Sequence, residues 1–100
     1  MKTEFREEGN NYVMTFDGRL DTPSSLQVAR DMQVLYDCEG HDIILDCTKL
    51  EYITSSGMRL FLDLLKVAKS KGSNCTLTGL NEDIRAVFDE VGFINIFDIR

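Results

Sequence analysis

A chain of 100 residues, 43% of them hydrophobic, suits one small globular core, and 17 acidic against 11 basic side chains give it a formal charge of -6. Scattered Lys and Arg in an acidic chain make a poor ligand for polyanions, which excludes nucleic acid and anionic membrane surfaces as partners. Three cysteines without a C-x-x-C spacing and one histidine, His41, encode neither a disulfide scaffold nor a metal site. Cys38, Cys47 and Cys75 are therefore expected as free thiols, Cys47 and Cys75 as small core residues. No run approaches the roughly 20 apolar residues of a transmembrane helix. The acidic start, Met1-Lys2-Thr3-Glu4-Phe5-Arg6-Glu7-Glu8, does not read as a signal peptide, so a cytoplasmic protein is expected.

The β-prone runs at 5–8 and 12–16 flank Gly9-Asn10-Asn11, where positive φ is tolerated, and predict an opening hairpin. Thr22 reads as a helix cap with Pro23 at the first helical position. Val28, Ala29, Met32, Leu35 and Tyr36 then recur at helical spacing until Cys38-Glu39-Gly40 closes the segment. Ile43-Ile44-Leu45-Asp46-Cys47 is a short β-branched run, the signature of a central strand covered on both faces. From Ser55 or Ser56 to about residue 70 the pattern is helical, with Met58, Phe61, Leu62, Leu65 and Ala68 on one stripe and Leu60, Leu64 and Val67 beside it; Lys71-Gly72 ends it. Cys75 and Leu77 alternate with Thr76 and Thr78 as in a half-exposed strand. Gly79-Leu80-Asn81 leads into a capped helix carrying Ile84, Val87, Phe88 and Val91 on its apolar stripe, and Gly92 stops it. Residues 94–99 complete the order ββαβαβαβ. That alternation implies βαβ crossovers and an α/β fold, a central mixed, mainly parallel sheet flanked by helices.

Chemistry concentrates between residues 45 and 59, where a buried strand ends and delivers Thr54, Ser55 and Ser56 to the start of a helix. One hydroxyl is needed to cap that helix; three are not. Gly57 disfavours the first turn and is expected where something approaches the backbone closely. Met58 and Leu60 exceed what one core-facing stripe uses and are candidates for exposed apolar contacts, with burial under the first helix as the competing account. Asp21 and Asp46 precede helix and loop respectively: Asp21 serves equally as a turn former or a site residue, and Asp46 as an orienter of the hydroxyl loop.

Catalysis finds little support. No G-x-S-x-G surrounds either serine, and His41 belongs to the start of the preceding strand, at the far end of a parallel sheet. Neither a glycine-rich phosphate loop with Lys nor a G-x-G-x-x-G occurs, so no cofactor is expected.

Taken together, Asp17-Gly18-Arg19-Leu20-Asp21, Ile43-Ile44-Leu45-Asp46, Tyr52-Ile53-Thr54-Ser55-Ser56-Gly57-Met58-Arg59 and Gly92-Phe93 resemble a bacterial STAS domain of the anti-sigma-factor antagonist family, over nearly all of residues 1–100. The family pattern is roughly G-x-L-D, then an Asn or Asp near the end of the central strand, then D-S-[ST]-G-L. Its first serine is phosphorylated and corresponds to Ser55, with Ser56 the second candidate. Thr54 stands where the best-known members have aspartate, and Met58 replaces leucine.

The resemblance implies a partner-switching protein. Unphosphorylated, such a protein binds an anti-sigma factor that is also a serine kinase and so frees the sigma factor; phosphorylation by that kinase, which holds the ATP, breaks the complex, and a PP2C-type phosphatase resets it. Asp21, Asp46, Thr54, Ser56, Gly57, Met58 and Arg59 would form the partner surface of a protein that is monomeric when free. The alternative is a STAS subunit of a larger signalling or lipid-transport assembly that binds a neighbour without phosphorylation, against which the intact Ser55-Ser56-Gly57 weighs. On physical grounds a phosphate on Ser55 would meet free N–H groups and the positive end of a helix dipole, while adding about -1.5 to -2 charge to the surface beside Asp21 and Asp46.

Overall fold

The computed structural model describes residues 1–100. Its hairpin comprises β1 (Lys2–Glu8) running antiparallel to β2 (Asn11–Leu20), joined by a tight turn in which Gly9 takes a φ of 60°. Three βαβ units follow. Helix α1 (Thr22–Asp31), with a 3₁₀ turn at Met32–Tyr36, leads to β3 (Asp42–Ile53); α2 (Ser55–Ser70) leads to β4 (Cys75–Thr78); α3 (Glu82–Glu90), with a 3₁₀ turn at Phe93–Asn95, leads to β5 (Asp98–Ile99). The sheet order is β1-β2-β3-β4-β5, parallel throughout except for the β1–β2 pair. β3 therefore lies at the centre.

Each crossover advances one place in the same direction, and right-handed crossovers then put all three helices on one face. Burial along β3 follows from this. Ile43, Leu45, Cys47, Leu50 and Ile53 are buried, whereas Ile44 and Asp46 are only half-buried. The expectation of a strand covered on both faces is thus corrected: the second face carries no helix layer, and Thr15, Asp46 and Thr78 lie side by side across it. On the helical face, 22 buried residues form one core cluster that joins Met14, Phe16, Leu45 and Leu77 of the sheet to Val28, Phe61, Leu64, Ile84 and Phe88 of the helices. Cys38, Cys47 and Cys75 are buried free thiols, and desolvation pushes Cys75 up to about 12 from its ordinary 9.0 and Cys47 higher still.

The inward spacing of β3 changes from two to three after Cys47, because its register against β2 shifts twice, between Thr15 and Asp17 and between Gly18 and Arg19. Such bulges re-aim side chains without leaving the sheet, which keeps both Leu50 and Ile53 in the core. They also let β3 run on to Ile53.

Three sequence-based boundaries differ from the structure. The first α-helix stops at Asp31 and tightens to 3₁₀ geometry, which still buries Met32 and Leu35. The final strand is only Asp98–Ile99, because the preceding residues instead fold back so that Phe93 and Phe97 meet Phe88 of α3, with ring centroids 5.6 and 6.2 Å away. Val91, read as the last rung of the α3 core stripe, lies past the end of that helix and is 50% exposed.

Gly57 sits where α2 meets the sheet. A Cβ there would lie 2.6 Å from Leu20 Cγ and 2.9 Å from Ile53 Cγ1. Overpacking of this kind costs about 1–3 kcal/mol, more than the roughly 1 kcal/mol that alanine gains over glycine in helix propensity. Gly57→Ala is expected to lose on the order of 1 kcal/mol in urea unfolding; a variant more stable than the parent would contradict this packing.

Candidate functional site

β2 and β3 end side by side, Leu20 opposite Ile53, and the Leu20 carbonyl accepts a hydrogen bond from the Thr54 N–H at 3.0 Å. The chains leaving these two strands therefore start from one point. From β2 emerges Asp21, which caps α1; from β3 emerges Thr54, which caps α2. Ser55 and Ser56 are the first two residues of α2 and both are exposed. The buried stripe of α2 begins immediately after them, with Gly57, Met58, Phe61, Leu64, Leu65 and Ala68 facing the sheet. That stripe turns the two serines and Arg59 to solvent.

Capping of α2 is assigned to Thr54 alone. Its hydroxyl oxygen accepts from the Gly57 N–H at 3.4 Å, and the hydroxyl donates to the Leu20 carbonyl at 3.4 Å. Threonine thus supplies the N-cap acceptor that an aspartate would supply at this position. Neither serine hydroxyl takes part in capping, so both are available to chemistry outside the domain. His41 offers them no base: it stacks on Tyr12, ring centroids 4.1 Å apart, before the start of β3 at the other end of the sheet.

Asp21 has an internal role that the sequence reading placed on Thr22. Its carboxylate accepts from the Ser24 N–H at 3.1 Å and the Ser24 hydroxyl at 2.9 Å, while Ser24 Oγ accepts from the Asp21 N–H at 3.0 Å. This is a capping box, with Pro23 in the first turn of the helix behind it. The Ser24 hydrogen bonds hold the Asp21 carboxyl below its usual 3.8.

Asp46 does not reach the hydroxyl loop. Its carboxylate accepts from the Thr48 N–H at 3.0 Å and the Thr48 hydroxyl at 2.6 Å, pinning the first bulge of β3. The backbone of Gly79, at φ 74°, passes so close to Thr48 that a Cβ there would strike its hydroxyl and its main chain. Asp46 therefore organises the β3–β4 junction on the helix-free face. Gly57 likewise answers to the fold, since what approaches its backbone is the protein's own Leu20 and Ile53. Met58, a candidate for an exposed apolar contact, is only 8% exposed, because its position continues the core stripe.

Ser55, Ser56, Met58, Arg59 and Leu62 share an open groove of about 440 Å³ with Val91 and Phe93. Arg59 is its only charged residue. Sequence reasoning assigned Leu62 and Val91 to core stripes and so missed them as groove walls; Gly92, at a φ of 81°, turns the chain between Val91 and Phe93. Beside the site, Arg19 lies over the Tyr52 ring at 4.2 Å. The arrangement is an exposed hydroxyl pair at a helix end next to a mostly apolar slot.

A family model for the STAS domain matches residues 2–100, and the chain belongs to that family. A curated relative, the anti-sigma-B factor antagonist of Bacillus subtilis, is 25% identical over 99 residues, covering 99% of this chain and 90% of its own. Among solved structures, an anti-sigma-factor antagonist (STAS) domain protein from Planctomyces limnophilus superposes with a TM-score of 0.88 at 16% identity, covering 98% of this chain and 87% of that one. The Bacillus cell fate determinant SpoIIAA in its phosphorylated form gives 0.75 at 18% identity, covering 99% and 91%. No helix here is long and apolar enough to cross a membrane.

The capping box carries a pH signature. A carboxyl depressed in the folded state contributes stability that is present above its unfolded value and lost as pH falls through the lower folded one. Asp21→Asn is therefore expected to melt below the parent at pH 7, with the gap closing under acid conditions below about pH 4. Melting curves from pH 7 down to about 2.5 that keep a constant gap would contradict the assignment.

Proposed function

We propose that this protein is an anti-sigma factor antagonist that acts in the cytoplasm by partner switching, with Ser55 as the phosphorylated residue. The single observation behind this reading is the Ser55 hydroxyl: exposed, at the first position of α2, and free of the capping duty that Thr54 performs. The name of the Bacillus subtilis relative and the phosphorylated state of SpoIIAA support the same reading. In the binding state, Thr54, Ser55, Ser56 and Arg59, with Asp21 at the adjacent strand end, face an anti-sigma factor that is also a serine kinase. The kinase transfers the γ-phosphoryl group of its own ATP to Ser55 Oγ, the hydroxyl proton leaves, and ADP is released. The new charge of about -1.5 to -2 lies where the partner must press and where Asp21 is already anionic, so repulsion and desolvation weaken the complex. A PP2C-type phosphatase restores the hydroxyl by hydrolysis to inorganic phosphate. Gly57 and Met58 support this surface from beneath; Asp46 sits apart on the open sheet face.

Removal of the Ser55 hydroxyl leaves the Thr54 cap in place. With the anti-sigma factor kinase of the same organism and radiolabelled ATP, Ser55→Ala is expected to bind as the parent does and to take up no label, and Ser55→Glu to bind at least tenfold more weakly, a change of about 1.4 kcal/mol. Full labelling of Ser55→Ala would move the acceptor to Ser56 or Thr54. Unlabelled parent protein would contradict the switch itself.

A further inference from the structure

Resting on the reading of Ser55 as phospho-acceptor, we propose that Arg59 is the internal counter-ion of the phosphate, so that modification adds an anion to the surface and also withdraws the groove's only cation from a partner. Ser55 and Arg59 stand at i and i+4 on α2, both exposed, and both line the groove with Leu62, Val91 and Phe93. Residues at this spacing are neighbours on a helix surface, and helical side chains lean toward the N-terminus, which carries the Arg59 guanidinium back over the first turn. An acidic group one turn before a basic one is the favourable order for such a pair.

Arg59 is available for this. It takes part in none of the four ion pairs of the domain, which join Lys2 to Glu4, Arg6 to Glu8, Lys71 to Glu39 and Arg100 to Asp98. Asp63, one turn further along α2, stands in the less favourable base-before-acid order and does not pair with it. Arg19, the cation one residue before the Leu20 strand end, is stacked on Tyr52. A planar guanidinium can hold two phosphate oxygens at once, which an ammonium cannot do in a fixed geometry. In the unmodified protein the same guanidinium is the one charge lining a mostly apolar groove and is open to an anionic group of a partner. Phosphate at Ser55 competes for it from within the chain.

The test installs phosphoserine at position 55 by genetic encoding, which needs no kinase, and follows its second ionisation by ³¹P NMR in the parent, Arg59→Gln and Arg59→Lys proteins. That ionisation ordinarily lies near pH 6. A cation held against the phosphate favours the dianion, so the parent is expected to titrate lower. Arg59→Gln should raise the midpoint by about half a pH unit, the order of one partly exposed ion pair. Arg59→Lys should recover part of the shift, and the difference should shrink in 1 M salt, where the Debye length is about 3 Å. Both variants keep the N-terminus of α2, so the comparison reads the side chain alone. Coincident titrations of all three proteins would overturn the proposal. Failure of a kinase to label Ser55 would instead sink the acceptor reading and leave this titration as it was, so the two fail separately.

Discussion

The structure depends on one close approach, that of the first turn of α2 to the ends of β2 and β3. Gly57 is the contact point, with Leu20 and Ile53 occupying the space a side chain would need. Thr54 ties the same corner by donating to the Leu20 carbonyl through its N–H and its hydroxyl. Because the backbone lies flat on the strand ends here, the next inward position, Met58, opens a stripe that continues through Phe61 and Leu64 to Ala68. Ser55, Ser56 and Arg59 are then left with only one direction to face. The exposure of the hydroxyls is a consequence of core packing one residue away.

That constraint also limits what a phosphate on Ser55, as proposed, could do to the domain. Burial of a side chain such as Phe61, Leu64 or Leu65 contributes roughly 1.5–3 kcal/mol each, and all three are at most 5% exposed. A phosphate near a helix N-terminus interacts on the order of 1 kcal/mol, in the stabilising direction. The proposed phosphorylation would be too small an event, and of the wrong sign, to melt the helix that carries Ser55. What it can change is the surface: the charge beside Asp21, the engagement of Arg59, and access to the slot between Leu62 and Phe93.

Much of the fold was legible because hydrophobic periodicity is a local signal. The start of α2 at Ser55 or Ser56, its end near Ser70 and the central place of the Ile43 strand follow from spacing and flanking residues. Long-range packing was not legible in the same way. The run Ile43-Ile44-Leu45 reads as buried on both faces, yet the sequential order of strands leaves one face bare, a property of the whole topology. The bulges of β3 carry the strand well past Asp46, so a residue that seemed next to the hydroxyl loop in sequence ends up in mid-sheet bonded to Thr48. Residues 93–97 form no strand because aromatic rings on both sides of Gly92 find each other. At the site itself, the hydroxyl cluster stood out from the sequence, while the wall supplied by Val91 could be seen only once α3 and α2 were placed together.

In the proposed switch, phosphorylation rewrites a surface on an unchanged domain. Amide NMR spectra of the protein before and after phosphorylation of Ser55 distinguish this from a change of fold. Shifts are expected only at Arg19 to Asp21, the first two turns of α2 and the turn at Val91 to Phe93, with the rest of the spectrum superimposable. Shift changes extending through β1 and into Ile84 and Phe88, or a large fall in melting temperature on phosphorylation, would mean that the domain itself is remodelled and that the switch is conformational.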